Sequence, residues 1–545
     1  VLSSRIVRIA SASPFWFCFL TTFLLLSLGT VGVGITKLDI RFALMVEDMS
    51  RHGIGLFATL NGWAYPDYPS PYLIASWLTC GAGRWITLWN LTLPTLLLGA
   101  YSIAMTLLIG EKQRKGLGIY AAALSFFSFE YLYVFAGFGI DTPVCAAGVT
   151  MLYFLQQDRG RFRQMLLFAV FLVFCFLVRG LIGLLIFGAA VGGFLLTRKD
   201  WKKILDFGAV GAVVLAGCLA GGYFLIHAVG GAELWEVFME WQVGKRIEGG
   251  DYFYYFFKVI PSLAPLSIPM IVFLIFGRRR LLEQPVFGWL GYVFLPMFLL
   301  SIPGCQHLRY ITLCIPAIAL VGAWGVLEAL EGKRGGLLRD SFRVLDRLLP
   351  WLGIMTVIGM FPIAVYVLKC DVLPFFQWGL ALVCLALLVL FRGERNTPQS
   401  HWLCLGAVLG VIYILGVNPL IAAYEDSTLF VSSVEKIRKG RLCMYEVGPD
   451  HEALKYKILI PPDVRTKILF MLDEPHPDEQ YNRMFPTKIV YDALPLLKPE
   501  DIVVLRKSKL KPLSVVADDV GRKVEVLLTG SLGHREYLAV KILPK

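Results

Sequence analysis

Apolar runs of 17–25 residues recur from residue 14 to about residue 420, separated by short polar segments. A bilayer core takes about 20 apolar residues per helical span, and runs this continuous do not suit the alternating strands of a barrel. The pattern predicts a polytopic α-helical membrane protein of about 13 transmembrane helices. The spans fall at 14–36, 86–110, 117–137, 142–156, 164–178, 180–197, 205–228, 259–276, 286–302, 310–329, 350–368, 373–391 and 402–420. After residue 425 the pattern changes. β-rich runs at 467–472, 488–494, 501–507, 523–528 and 536–543 alternate with polar turns, behind a helical start at 427–440. This predicts a small soluble α/β domain over 425–545, following a membrane domain over 1–424.

Charge placement orients the spans. The loops at 111–116, 158–163, 198–203, 277–283, 331–347 and 392–395 carry 3, 3, 4, 3, 5 and 2 Lys or Arg. Cytoplasmic loops are the Lys- and Arg-rich ones, so the N-terminus is expected in the cytoplasm. The loops 37–85, 229–258 and 303–309, the turn at Asp141 and the C-terminal domain are then expected outside. Arg5 and Arg8 before the first run fit a signal peptide as well. The apolar segment is longer than a usual signal core, and no small-residue cleavage site follows it, so a retained helix is expected.

Composition agrees: 57% hydrophobic residues and a mean hydropathy of +0.66. The net charge of +12 is carried by those loops and gives no reason to invoke nucleic acid. Eleven Cys without CxxC pairs support neither a zinc site nor a disulfide framework. No Gly-rich nucleotide loop is found.

The candidate chemistry lies on the outer side. Residues 40–51 mix Phe42, Leu44, Met45, Val46 and Met49 with charges, which suits a short helix lying in the membrane interface with its apolar side chains turned to lipid. Asp39 just before it can cap the helix or act as a catalytic carboxylate. In "LNGWAYPDYPSP" (60–71) the density of proline predicts a stiff loop rather than a helix. It is either an interfacial anchor or the wall of a site. Asp141 in "GIDTP" is a helix cap or a second functional carboxylate. Arg179–Gly180 interrupts an apolar stretch and marks a hairpin. Segment 229–258, with Trp235, Trp241, Lys245, Arg246 and Lys258, resembles a second interfacial element, with Gly249–Gly250 allowing movement. His307, Arg309 and Tyr310 stand at the mouth of the tenth span, where a basic side chain can snorkel to lipid phosphate or clamp an anion. Glu130 lies inside the third span and is either functional or hydrogen-bonded in the bundle.

In order and spacing, these features resemble the GT-C glycosyltransferases that use polyprenyl-phosphate sugars. They match specifically the bacterial aminoarabinose transferase and protein O-mannosyltransferase-related group. That group's opening acidic-Arg motif is matched by "LDIRFALMVEDM", and its Leu-Asn-Gly-x-x-Tyr-x-x-Lys-Pro-Pro segment by "LNGWAYPDYPSP". Its second external Asp is matched by Asp141, its basic-Gly pair by "RGLIGLL" (179–185), and its Lys-x-x-x-Tyr-Ile-Leu-Pro run by "QHLRYITLCIP" (306–316). The departures are Ile40 for an acidic residue, Tyr68 and Gln306 for two lysines, and the lack of a His in 229–258.

The resemblance implies a polyprenyl-phosphate sugar donor, such as an undecaprenyl one. It also implies a glycolipid (lipid A-like), glycan or protein acceptor, membrane lipids as surroundings, no cofactor, and a location in the bacterial inner membrane, multi-pass. It assigns Asp39 and Asp141 as catalytic. Arg246, Arg309 and Tyr310 would bind the donor phosphate, and Arg41, Tyr65, Asp67 and Tyr68 the substrates. The chain is expected to work as a monomer. A divalent cation on the Asp pair stays open, with two carboxylates and no further ligands as its only support. A transporter or lipid-linked-saccharide flippase is the alternative class. It would place substrate near the midplane, often within repeated halves, and no clear internal repeat is found. An O-antigen ligase would concentrate function in one late external loop, and a structural scaffold would need no aligned outer charges.

Overall fold

The computed structural model describes residues 13–345 and 427–545, apart from 31–33, 36–37, 61, 126–127, 158–159, 245, 247–249, 264–265, 278–279, 305, 332–336, 343, 448–451, 461–466, 475–486 and 533–534. The three expected spans at 350–368, 373–391 and 402–420 lie outside the described residues. The chain divides into two compact units. One comprises Val1–Val31, Pro66–Thr79 and Thr92–Pro419; the other comprises Gly32–Tyr65, Cys80–Leu91 and Leu420–Lys545.

The helices of the first unit are α1 (Pro14–Leu28), α3 (Ser70–Thr79), α5 (Leu117–Ser125), α6 (Phe129–Ala136) and α7 (Thr142–Leu155). They continue with α8 (Arg161–Arg198), α9 (Trp201–Met239), α10 (Ser267–Phe276), α11 (Val286–Leu300) and α12 (Ile315–Glu331). α4 (Leu88–Gln113) begins in the second unit and continues into the first. Among the described residues four helical stretches are long and apolar enough to cross a membrane: Leu88–Gln113, Arg161–Arg198, Trp201–Gly244 and Leu308–Ala329.

Burial differs sharply between these stretches. Leu308–Ala329 is almost wholly enclosed, whereas Trp201–Gly244 is covered along little of its length. On α9 the exposed side chains include Leu205, Val213 and Phe224. Such a helix is stable only in apolar surroundings. Where helices meet closely they do so through glycine. A Cβ on Gly193 of α8 would fall 2.0 Å from the carbonyl oxygen of Gly291 on α11, and one on Gly291 would fall 2.2 Å from that of Gly193. Small residues of this kind let membrane helices approach backbone to backbone.

Two helices reverse inside their own spans. Phe168 and Phe187 stack at 5.8 Å between centroids, although 19 residues of straight helix would separate them by about 28 Å. The chain turns back at Gly180, whose φ of 68° and ψ of −153° leave the helical region. The hairpin expected at Arg179–Gly180 is thus present. α9 reverses likewise at Gly231 (φ 68°), bringing Trp235 to 5.3 Å from Tyr223. The third expected span is instead two short helices, α5 and α6.

The second unit contains α2 (Leu38–His52), strand β1 (Phe57–Leu60) and, in the tail, a six-stranded sheet. β2 (Trp63–Pro69) pairs with β1 and runs into the first unit. The proline-rich stretch is therefore a strand followed by α3, not a loop. In a two-stranded ribbon every strand is an edge, where a proline without N–H is tolerated, and Pro71 occupies the first turn of α3, where its missing donor costs nothing. On α2 the apolar side chains Phe42, Met45, Val46 and Met49 are buried in protein rather than turned to lipid, packed against β1 and α14 (Glu452–Leu459).

The tail sheet has the order β5-β4-β3-β6-β8-β7. Its strands are β3 (Leu442–Tyr445), β4 (Leu469–Leu472), β5 (Thr487–Ile489), β6 (Ile502–Arg506), β7 (Arg522–Leu532) and β8 (Arg535–Pro544). The first four in spatial order are mutually parallel, and β8 and β7 extend the sheet antiparallel. α13 (Thr428–Ile437) and α15 (Leu510–Asp519) flank it. Its core includes Cys443, Tyr445, Met471, Val503, Leu505, Leu513 and Val540. The run at 488–494 is strand only at its start; Val490–Ala493 is helical.

Candidate functional site

The chain segment around Asp141 reads as a helix cap, since Asp141 immediately precedes α7 and Pro143 sits in its first turn. Its side chain makes no capping hydrogen bond. It is 4% exposed, and its Oδ1 accepts from Nε of Arg179 at 2.8 Å. Its Oδ2 lies 3.6 Å from Nε of Arg309. The carboxylate is therefore committed to two guanidinium groups, one from the reversal of α8 and one from the 3-10 turn Leu308–Cys314. The dipole of α7 adds to this, because a negative charge at a helix N-terminus is favoured.

Arg179 is 0% exposed. Gly180 after it adopts the left-handed region and has no room for a side chain, since a Cβ there would fall 2.7 Å from Oε1 of Gln242. Gln242 belongs to the π-helical turn Glu240–Gly244. Its Nε2 donates to the backbone oxygen of Asp67 at 3.2 Å, and its Oε1 accepts from Nη1 of Arg246 at 3.3 Å. Arg246 Nη2 in turn donates to Oδ1 of Asp67, which lies 4.0 Å from Nη1 of Arg179.

The Arg179 guanidinium stands over the rings of Tyr68, at 5.4 Å, and Tyr310, at 5.5 Å. Arg309 also lies over Tyr310, at 5.8 Å. A guanidinium over an aromatic face is held by the ring's quadrupole. Beside this group the imidazole of His307 meets the Tyr310 ring edge-on at 5.3 Å, and its backbone N–H donates to the Tyr255 hydroxyl at 3.2 Å. Partial loss of water contact, then the charges of Arg309 and Arg179, hold the His307 imidazole below its ordinary value of 6.5. His307 is consequently neutral at pH 7.

Three guanidinium groups thus face two carboxylates, leaving one positive charge. Four polar atoms in this cluster are buried without a hydrogen-bond partner among the described residues: Nη1 and Nη2 of Arg179, Nε of Arg309 and Oδ2 of Asp141. Buried polar groups are almost always satisfied, and a set of open donors around one excess positive charge is suited to an anion. No group of three or more His, Cys, Asp or Glu side chains among the described residues is arranged to hold a metal ion.

Of the residues singled out in the sequence, Asp67, Tyr68, Asp141, Arg246, Arg309 and Tyr310 come together in the first unit. Asp39, Arg41 and Tyr65 belong to the second. Asp39 is half-buried within the first turn of α2 rather than ahead of it. Arg41 Nη1 donates to the Tyr65 hydroxyl at 3.1 Å. Glu130 falls on α6, its side chain outside the described residues.

Sequence reasoning did not assign Arg179 or Gln242 to the site. For Arg179 the signal existed: an arginine inside an apolar stretch is a functional candidate by default. Gln242 carries no such mark.

No protein-family model matches the chain, and no curated protein matches it. Its fold matches that of ArnT from Cupriavidus metallidurans, solved bound to undecaprenyl phosphate and in the apo state. The TM-score is 0.70 for both, over 97% of this chain and 98% of that one, at 14% sequence identity. The chain is thus similar to ArnT in fold along nearly its whole length.

Proposed function

We propose that this protein is a GT-C glycosyltransferase of the bacterial inner membrane. It moves a sugar from a polyprenyl-phosphate donor to a glycolipid, glycan or protein acceptor at the outer leaflet. The observation that carries this reading is the gathering of Asp67, Asp141, Arg179, Arg246 and Arg309 into one buried cluster with an excess positive charge and open donors. The likeness of fold to a protein solved with undecaprenyl phosphate supports it.

In the reaction the acceptor oxygen attacks the anomeric carbon with inversion. The new C–O bond forms as the bond to the phosphate oxygen breaks, and polyprenyl phosphate leaves with the electron pair. The charge developing on the leaving phosphate needs preorganised donors, and guanidinium groups suit it through their planar forks. Asp141, already paired with Arg179 and Arg309, serves as their fixed counter-ion and orienting group. The sequence resemblance alone assigns Asp39, on α2 of the second unit, the general-base role toward an acceptor hydroxyl. Where the acceptor is itself a lipid phosphate, no base is needed and Asp39 positions it.

The test is transfer of radiolabelled sugar from polyprenyl-phosphate donors to a membrane-lipid extract by purified protein in nanodiscs. Wild type is compared with folded, inserted Asp39→Asn. Transfer by wild type and its loss in the variant is the expected result. Equal transfer by both removes Asp39 from the chemistry, and the absence of transfer with a panel of donors removes the proposed activity.

A further inference from the structure

Arg179 is the most completely enclosed charge in the first unit's cluster, yet two of its three guanidinium nitrogens have no hydrogen-bond partner among the described residues. Its third nitrogen, Nε, is tied to Asp141. Nη1 lies 4.0 Å from Oδ1 of Asp67, beyond hydrogen-bond reach. The Arg179 Cζ lies over the rings of Tyr68 and Tyr310. One nitrogen is tethered, the group is packed over two aromatic rings, and the remaining edge offers two donors. This is the geometry that binds a phosphate through two oxygens at once. Leaving such an edge unmatched in a buried place is costly, which argues that it has a ligand.

Resting on the function proposed above, we infer that Arg179 is the phosphate fork of the site, and that Tyr68 and Tyr310 are positioning residues that fix its plane. The inference accounts for the substitution at position 68. A lysine there would add a second point charge, whereas Tyr68 supplies a ring for Arg179 to stand over. Arg309 adds its positive charge beside the anion, its Nε turned to Asp141 Oδ2 at 3.6 Å.

The experiment measures binding of undecaprenyl phosphate, and of the matching phosphate-free polyprenol, to the full chain in nanodiscs by native mass spectrometry. The variants are Arg179→Lys, Arg179→Gln, the double variant Arg179→Gln/Asp141→Asn, and Phe and Leu replacements at Tyr68 and Tyr310. Wild type is expected to bind the phosphate and not the alcohol. Arg179→Gln and Arg179→Lys are both expected to weaken binding about tenfold or more, the scale of a lost charge-assisted hydrogen bond. The Lys variant keeps the charge, so its failure isolates the bidentate fork. The double variant leaves no uncompensated Asp141, so loss of binding in a double variant that unfolds at the wild-type temperature is not a folding defect. Phe at either tyrosine is expected to keep binding within about twofold, and Leu to weaken it about fivefold.

Full binding by Arg179→Lys or by the double variant overturns the fork, while sugar transfer by wild type leaves the proposed activity standing. Equal binding by the Phe and Leu variants overturns the positioning role of the tyrosines. Equal binding of phosphate and alcohol by wild type overturns this inference and the proposed donor class together.

Discussion

At the scale of single residues, Asp141 shows how position misleads and partners decide. Its place before Thr142 and Pro143 is that of a cap, yet its oxygens serve Arg179 and Arg309. Removing one partner of a buried ion pair leaves the other charge uncompensated, at a cost of about 3–5 kcal/mol. Asp141→Asn is therefore expected to lower stability by about that amount. The Arg179→Gln/Asp141→Asn pair is expected to recover most of it. Thermal unfolding of the three variants in one detergent checks this, and additive losses in the double variant would disprove the coupling. His307 provides a pH signature. Its imidazole titrates below 6.5 in the folded chain, so on acidification the unfolded chain takes up its proton first. Stability contributed by this group is complete above pH 6.5 and is lost as the pH falls through the lowered value. His307→Gln is expected to lose less stability than wild type between pH 7.5 and 5, and parallel pH curves would refute that.

At the scale of elements, the apolar runs were legible because a bilayer imposes span length on sequence, and every described run contains helix. The reversals were partly legible. Arg179–Gly180 announces one, because arginine followed by glycine interrupts an apolar stretch. Gly231 does not, being one glycine of several along α9. The proline-rich stretch at 60–71 misled because proline density speaks against helix in general but not against an edge strand. In the tail, β3 ("LCMY") is buried along its whole length and shows no alternation to read. The cluster itself was legible only as a set of candidates. Asp67, Asp141, Arg246 and Arg309 sit on separate turns, and nothing local in the sequence says that those turns converge. Gly180 is the element on which that convergence depends. With φ at 68° and Gln242 Oε1 2.7 Å from any added Cβ, Gly180→Ala is expected to cost more than about 1 kcal/mol. It should also reduce undecaprenyl phosphate binding through displacement of Arg179. A variant that unfolds and binds as wild type does would show that the reversal tolerates a side chain.

At the scale of the whole molecule, orientation in the membrane decides whether the proposed chemistry is possible at all. A lipid-borne sugar presented at the outer leaflet needs the Asp141–Arg179–Arg309 cluster on that side. The basic loops then lie in the cytoplasm, as the distribution of Lys and Arg predicts. The thirteen-span reading commits to this arrangement, with the tail sheet outside. Two exposed positions separate the alternatives: Lys115 in the basic loop 111–116, and Ser508 after β6 in the tail. Of the seven described cysteines, Cys18, Cys80, Cys145, Cys175, Cys314 and Cys443 are buried and react slowly; Cys218 is half-buried, so both variants are made in a Cys218→Ala background. In intact cells stripped of their outer membrane, a membrane-impermeant maleimide is expected to label Ser508→Cys directly. Lys115→Cys should be labelled only after the membrane is opened. The reverse pattern would put the cluster on the cytoplasmic side and exclude an outer-leaflet donor. Labelling of both in intact cells would place the first basic loop and the tail on one face, which contradicts the eleven spans (thirteen less the two before the loop) expected between them.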